Sequence, residues 1–315
     1  MTNKVAVIIV NWKVRELLRE CLRSVYTQGG LPEDGFEVIV VDNNSGDGSV
    51  EMVRAEFPQV QLVANDANLG FGAANNQAME LTAAPVLLLL NPDTLVHDGA
   101  LGGMVARLVN EPTLAIIGCR LLNADGTLQR WTGGAFPNLR NVACHYLFLD
   151  RLFPSALRPQ SLYLDRDFAA PLDVDWVSGA CMAIRRNALG GALFDKRFFM
   201  YAEDMELCQR MIHSGWRVSY DPAFSIIHYQ GASIQQQETG VMLSSLKSPR
   251  YFFLLSHGPL AALALDVLTV TGFAIRWMAY RLAALLRPGC GFEGKARLSC
   301  HYLALALKVM VKPLP

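Results

Sequence analysis

The chain has 315 residues, 52% hydrophobic and 18% charged, a balance that excludes a disordered polymer and leaves room for one large domain or two modest ones. Its formal net charge is zero, which gives no basis for a nucleic-acid partner. The seven cysteines (Cys21, Cys119, Cys144, Cys181, Cys208, Cys290, Cys300) are odd in number, scattered and free of any C-x-x-C pair, which argues against a disulfide framework or zinc site and for a reducing cytosol.

The apolar run at 5–10 is only six residues long before polar Asn11, so no signal peptide is expected. Over the first 120 residues strand and helix patterns alternate. Strands are predicted at 5–10, 37–41, 60–64, 86–90 and 114–118, and helices at 16–26, 49–57, 72–81 and 101–109. Such β-α-β alternation predicts a mostly parallel sheet with helices on both faces. The run "VLLLL" at 86–90 fits a strand covered on both sides. Residues 123–174 are less regular: Asp125-Gly126 gives a hairpin turn signal, and 131–172 read as an insertion over one end of the sheet. Residues 173–186 read as one further strand and 203–214 as an amphipathic helix, followed by two short strands around "WRVSYDP" and "FSIIHY". After Tyr251 the chain is almost wholly apolar, interrupted by Asp266, Arg276 and Arg281. From Lys247 onward it carries nine Lys/Arg and two acids, so a tail of net +7 balances −7 over the first 246 residues. The balance points to an anionic partner such as a membrane surface, and interfacial amphipathic helices are the favoured reading. A packed helical subdomain and a membrane span stay open beside it.

In open α/β sheets, ligands bind beyond the carboxyl ends of the strands. Four predicted strands end in polar residues there: Val10 before Asn11-Trp12, Val41 before Asp42-Asn43-Asn44, Ala64 before Asn65, and Leu90 before Asn91-Pro92-Asp93. Singly, each is also ordinary turn chemistry. No G-x-G-x-x-G follows the first strand, which disfavours a dehydrogenase; "GFGAAN" at 70–75 is a near miss after the third strand. Walker A is absent as well. Phosphate would then be neutralised most simply by a divalent cation, which Asp93 could hold as one of few carboxylate ligands. Glu203 and Asp204 stand side by side at a helix start, where acids also answer the helix dipole. His228, after an apolar strand, is either a structural histidine or a ring-nitrogen ligand better suited to Mn2+ than to Mg2+.

The motifs "VAVIIVNWKVRELLRECLRSV", "VIVVDNNSGDGSVEMV", "NLGFGAANNQAM", "LLLLNPDTLV", "WVSGACMAIRR" and "FDKRFFMYAEDMELCQRMIHSGWRVSYDPAFSIIHYQGAS" occur in an order that resembles family-2 glycosyltransferases of the inverting GT-A type. The likeness is strongest to the bacterial rhamnosyltransferase-like branch and covers about residues 4–235. It implies a GT-A domain over 1–240, an α/β fold with a mostly parallel sheet flanked by helices. Residues 241–315 form a C-terminal helical region outside the shared fold.

The resemblance also implies roles. Val10, Asn11 and Trp12 match the first nucleotide-contacting turn, and Asp42 the acid that reads the base of a UDP- or dTDP-sugar. Asn68, Gly70 and Asn75 match the segment that closes over the nucleotide. Asn91-Pro92-Asp93 stands where the family carries D-x-D; the first acid is Asn, so the metal role rests on Asp93 and Asn91 becomes a neutral contact near the ribose. Asp204 matches the general base, Glu203 a residue orienting acceptor or base, and His228 the histidine that completes a Mg2+ or Mn2+ site. Trp176, Ser178 and Gly179 would line the acceptor side. The implied donor is a nucleoside-diphosphate sugar, with dTDP-rhamnose favoured. The implied acceptor is a glycan or polyprenyl-linked saccharide of cell-surface polysaccharide synthesis, at the cytoplasmic face of the inner membrane. Two alternatives remain. A non-catalytic scaffold is opposed by the intact Asp93, Asp204 and His228. A sugar nucleotidyltransferase would carry a Gly-rich basic loop after the first strand, where this chain has "NWKVRELL".

Overall fold

Strands β1 (Val5–Asn11) and β4 (Val86–Leu90) are buried at every position, as expected of parallel strands covered on both faces. The computed structural model describes residues 4–147, 163–164, 168–229 and 239–312. They divide into two units, Met1–Ala135 with Tyr163–Gln236, and Phe136–Leu162 with Gln237–Pro315.

The first unit holds a nine-stranded mixed sheet. Besides β1 and β4 it contains β2 (Phe36–Asp42), β3 (Gln61–Ala64), β5 (Thr94–Val96), β6 (Leu114–Leu122), β8 (Leu172–Asp173), β10 (Cys181–Arg185) and β11 (Arg217–His228). The order is β3-β2-β1-β4-β10-β6-β11-β5, with β8 paired to β11. The four strands from β3 to β4 run parallel, while β10 enters antiparallel between β4 and β6. Helices α1 (Arg15–Gln28), α2 (Ser49–Glu56), α3 (Phe71–Glu80) and α4 (Ala100–Asn110) follow β1, β2, β3 and β5. Leu18, Leu22 and Val25 of α1 recur at helical spacing and pack with Val7, Val38 and Leu88 in one core cluster.

Three local expectations are corrected. Strand β5 goes unpredicted, because three residues carry no period. The two strands expected around 216–229 are one 12-residue strand. Its register shifts between Asp221 and Ser225, and Pro222, which has no N–H to donate, falls in that irregularity. The single strand expected over 173–186 is two, β9 (Trp176–Val177) and β10, separated by Ser178-Gly179-Ala180. Strand β9 pairs with β7 (Gly133–Gly134) in a separate two-stranded sheet.

The insertion expected over 131–172 is divided. Residues 136–147 group with the C-terminal helices, while 148–162 and 165–167 lie outside the described residues, as do 230–238 of the last family motif. The second unit contains α5 (Leu139–Tyr146), capped by Asn138, then α7 (Thr239–His257), α8 (Pro259–Leu286) and α9 (Phe292–Met310). Helix α8 is long and apolar enough to cross a bilayer. Its buried positions are Ala262, Leu265, Asp266, Thr269 and Gly272, mostly small or polar. Its exposed positions include Leu260, Leu263, Val267, Met278, Leu282 and Leu285. The large aliphatic side chains therefore point outward.

Asp266 is paired on this inner face. Arg250 Nε donates to its Oδ2 at 2.8 Å, and Arg250 Nη1 donates to the Lys312 carbonyl at 3.0 Å. One guanidinium thus joins α7, α8 and the end of α9. Removing one member of a buried pair strands the other charge, at a cost of about 3–5 kcal/mol, whereas replacing both by apolar groups is often neutral. Arg250→Met is expected to lower the unfolding midpoint of this unit in urea, and Arg250→Met with Asp266→Leu to recover most of the loss.

Candidate active site

Parallel pairing places the strand ends in one row. Asn11 lies opposite Asp42, Asp42 opposite Ala64, and Ile9 opposite Leu90. The polar residues after those positions therefore line one rim. The 5–12 end is tied directly to the 42–45 turn: Asn11 Nδ2 donates to Asp42 Oδ1 at 2.7 Å and lies 3.0 Å from Ser45 Oγ. Ser45 itself donates its hydroxyl to Asp42 Oδ1 at 2.6 Å and its backbone N–H to Oδ2 at 2.9 Å. Asp42 is thus buried and engaged by three donors, with one oxygen more heavily used than the other. Asn11 Oδ1 is buried without a partner. Val10 is buried beneath this corner, and the half-buried Trp12 ring lies 4.8 Å from Lys13 Nζ.

The 65–76 segment forms the next wall. Asn43 Nδ2 donates to the Gly70 carbonyl at 3.2 Å, and Asn65 Nδ2 to Asn43 Oδ1 at 3.0 Å. Asn68 Oδ1 accepts the Gly70 N–H at 2.9 Å. Gly70 has φ +86°, and a Cβ there would stand 2.4 Å from the Phe199 carbonyl oxygen, so both backbone shape and space require glycine. The Phe71 N–H donates to that same carbonyl at 2.9 Å. Asn75 Nδ2 donates to the Phe71 carbonyl, while its buried Oδ1 has no partner.

Asp93 and His228 meet through a register the sequence does not display. Thr94 of β5 lies opposite His228 of β11, and the Tyr229 N–H donates to the Asp93 carbonyl at 2.8 Å. Asp93 Oδ1 is 3.3 Å from His228 Nε2, and Asn91 Nδ2 is also 3.3 Å from that nitrogen. The other ring nitrogen, Nδ1, is 2.9 Å from Gln129 Oε1. Both Asp93 and His228 are buried. Among the described residues, no third His, Cys, Asp or Glu joins them.

The carboxylate pair opens helix α6 (Glu203–His213). Tyr201 and Ala202 enter it with φ of 72° and 61°, a left-handed conformation unusual for residues with a Cβ and characteristic of constrained functional turns. Asp204 Oδ2 accepts the Gly179 N–H at 3.2 Å and Oδ1 accepts the Met205 N–H at 2.8 Å. The Ala180 carbonyl accepts the Asn91 N–H at 2.9 Å, so Asp204 and Asn91 are linked through two adjacent residues. Burial raises the pKa of both carboxyls. Glu203 is pushed up to about 8 by burial first and by the Asp204 charge second. The two backbone N–H groups partly offset the rise at Asp204, whereas buried Glu203 Oε2 has no partner. The pair therefore ionises at Asp204 first and holds its proton on Glu203 near neutrality.

Of the three residues expected on the acceptor side, Gly179 adjoins Asp204, with Ser178 next to it in the chain, and a side chain at Gly179 would meet the Phe71 ring at 3.4 Å. Trp176 turns inward: it is 2% exposed and its indole N–H donates to the Ala135 carbonyl at 3.1 Å. Trp131, 48% exposed and 4.1 Å from the Tyr163 ring, was not singled out in the sequence. Ser45 and Gln129 were also missed. The D-x-x-S spacing of Asp42 and Ser45 is an Asx-turn signal that could have found the first; no pattern marks the second.

Residues 6–191 match the family model described as Glycosyl transferase family 2. An N-acetylglucosaminyl-diphospho-decaprenol L-rhamnosyltransferase of Mycobacterium tuberculosis is 26% identical over 269 residues, covering 82% of this chain and 86% of the relative. Rhamnosyltransferase WbbL of Escherichia coli is 23% identical over 235 residues, covering 71% of this chain and 83% of the relative. Among solved structures, mannosyltransferase PcManGT from Pyrobaculum calidifontis, in complex with GDP-Man and Mn2+, aligns with a TM-score of 0.56 and 17% identity, covering 99% of this chain and 88% of that one. That likeness carries the fold, a GT-A arrangement of mixed sheet and flanking helices. With the family model matching more than half its length, the chain belongs to glycosyl transferase family 2.

Proposed function

We propose that this glycosyltransferase moves L-rhamnose, with inversion, from dTDP-rhamnose to a hydroxyl of a polyprenyl-diphosphate-linked saccharide. The observation that carries the reading is the placement of Asp204 and the Asp93–His228 pair on one connected rim. The sugar is supported by the names of both relatives, and the acceptor class by that of the mycobacterial one.

Asp204 is the group suited to take the acceptor proton. Its raised pKa makes it a stronger base than an ordinary aspartate, and its two N–H contacts keep it the ionised member of the pair. The deprotonating oxygen attacks the anomeric carbon, the bond to the diphosphate oxygen breaks, and the nucleoside diphosphate leaves. One displacement inverts the configuration. Glu203, protonated beside Asp204, keeps a second charge away from the base.

Asp93 and His228 suit a divalent cation. A carboxylate oxygen and an imidazole nitrogen 3.3 Å apart can touch the same ion, and with two such ligands among the described residues, further positions are open to substrate phosphates and water. When bound, Mg2+ or Mn2+ supplies positive charge for the leaving diphosphate oxygens.

The C-terminal helices are read as a peripheral anchor on the cytoplasmic face of the inner membrane, held to the surface beside a lipid-linked acceptor. Two features support this: the outward aliphatic face of α8, and the exposed bases Arg281, Arg287, Lys295, Arg297, Lys308 and Lys312. Residues 1–240 are read as the transferase domain and 241–315 as this anchoring region.

A panel of sugar nucleotides, assayed with a decaprenyl-diphosphate-linked N-acetylglucosamine acceptor by release of nucleoside diphosphate, tests the activity. dTDP-rhamnose is expected to turn over fastest, and Asp204→Asn to lose about 10²–10⁴-fold in kcat with donor binding retained. Equal turnover by the variant would remove the base assignment.

The Glu203 pKa has a stability consequence. It is raised from 4.5 to about 8 on folding, so the folded state binds more protons within that window and stability falls as pH rises through it. Urea unfolding at pH 5 and pH 8 is expected to show a smaller difference for Glu203→Gln than for the parent chain. For the anchor, Leu282→Glu with Leu285→Glu is expected to abolish flotation with vesicles containing anionic phospholipid while leaving donor hydrolysis unchanged; continued flotation would count against this reading.

A further inference from the structure

The hairpin announced by Asp125-Gly126 has no part in the roles above, yet its polar side chains lead to His228. Thr127 donates its hydroxyl to Asp125 Oδ1 at 2.6 Å. That leaves the Thr127 oxygen to accept from Asn123 Nδ2 at 2.9 Å, which fixes Asn123 Oδ1 as an acceptor. Gln129 Nε2 donates to Asn123 Oδ1 at 3.0 Å and to the His228 carbonyl at 2.6 Å. Turning the Gln129 amide over would set its oxygen against both of those oxygens, so its orientation is determined. Oε1 must then face His228 Nδ1, at 2.9 Å.

A carboxamide oxygen only accepts, so Nδ1 must carry the hydrogen. In the neutral ring, Nε2 then carries a lone pair, with Asp93 Oδ1 and the Asn91 Nδ2 amide each 3.3 Å away. The opposite tautomer would aim an Nε2–H at Asp93 and close the pair on itself. We propose that Gln129, oriented through the Asp125–Thr127–Asn123 relay, is a positioning residue that selects the Nδ1–H form of His228 and so keeps the Asp93–His228 pair open to a divalent cation. Gln129 is 3% exposed, which shields the selecting bond from water. The cation half of this inference rests on the metal reading under Proposed function; the tautomer half rests on the hydrogen bonds alone.

Two measurements on the full-length chain separate these halves. Nitrogen-15 NMR of labelled histidine reads which ring nitrogen of His228 is protonated, with His228→Asn giving the assignment. Titration with Mn2+, alone and with dTDP, reads affinity directly. The parent is expected to show the Nδ1–H form. Gln129→Leu, checked for folding by circular dichroism, is expected to shift to Nε2–H and to lose about 10–100-fold in Mn2+ affinity, the usual effect of removing an outer partner of a ligating histidine. Thr127→Val, which frees the Asn123 amide without touching Gln129, is expected to produce a mixture of ring forms. A folded Gln129→Leu variant that keeps the parent ring form overturns the proposal. So does one that keeps Mn2+ affinity within about twofold. If the parent itself takes up no Mn2+ with or without dTDP, the metal reading falls, and the ring form by itself decides the role of Gln129.

Discussion

Strand register is the constraint from which the site follows. Parallel pairing of β1 with β2 and β4 fixes which residues reach the carboxyl edge together, and a slip of one position would send every side chain of a strand to the opposite face. Because Val7, Val38 and Leu88 must all enter the same core, the alignment of Asn11, Asp42 and Asn91 at the edge is set by burial elsewhere in each strand. The antiparallel pairing of β5 with β11 does the same for Asp93 and His228. Chemistry at the rim is positioned by hydrophobic contacts that never touch a substrate.

Charge is rationed at this rim. Two adjacent carboxyls in a water-poor place cannot both ionise at modest cost, and the backbone decides between them by giving its N–H groups to Asp204 and none to the far oxygen of Glu203. The asymmetry depends on the left-handed entry at Tyr201 and Ala202, which sets the first turn of α6. Two carboxyls on consecutive residues are thus driven to different protonation states by their backbone surroundings.

Much of this was legible before any coordinates. The parallel half of the sheet announced itself because strands covered on both faces must be continuously apolar, and their ends are where polarity resumes. The order of motifs identified the family, and Glu203-Asp204 stood out as paired acids. What could not be read depends on pairing across long separations. β5 is too short to carry a period, so the meeting of Thr94 with His228 has no local trace. Pro222 disguised one strand as two. Trp176 is equally plausible facing in or out, since a two-residue strand offers no alternation to choose its side. Gln129 is an ordinary residue in a hairpin, and its place in the site rests on the imidazole it meets, 99 positions away.

The close fit of Gly70 against Phe199 has a mechanical meaning. The loop around Gly70 and the segment that runs into α6 share a backbone hydrogen bond and leave no room for a side chain between them. Asp204 is five residues beyond the junction. A shift of one segment is thereby handed on to the turn that carries this carboxylate, so the two stretches of chain are geared to one another.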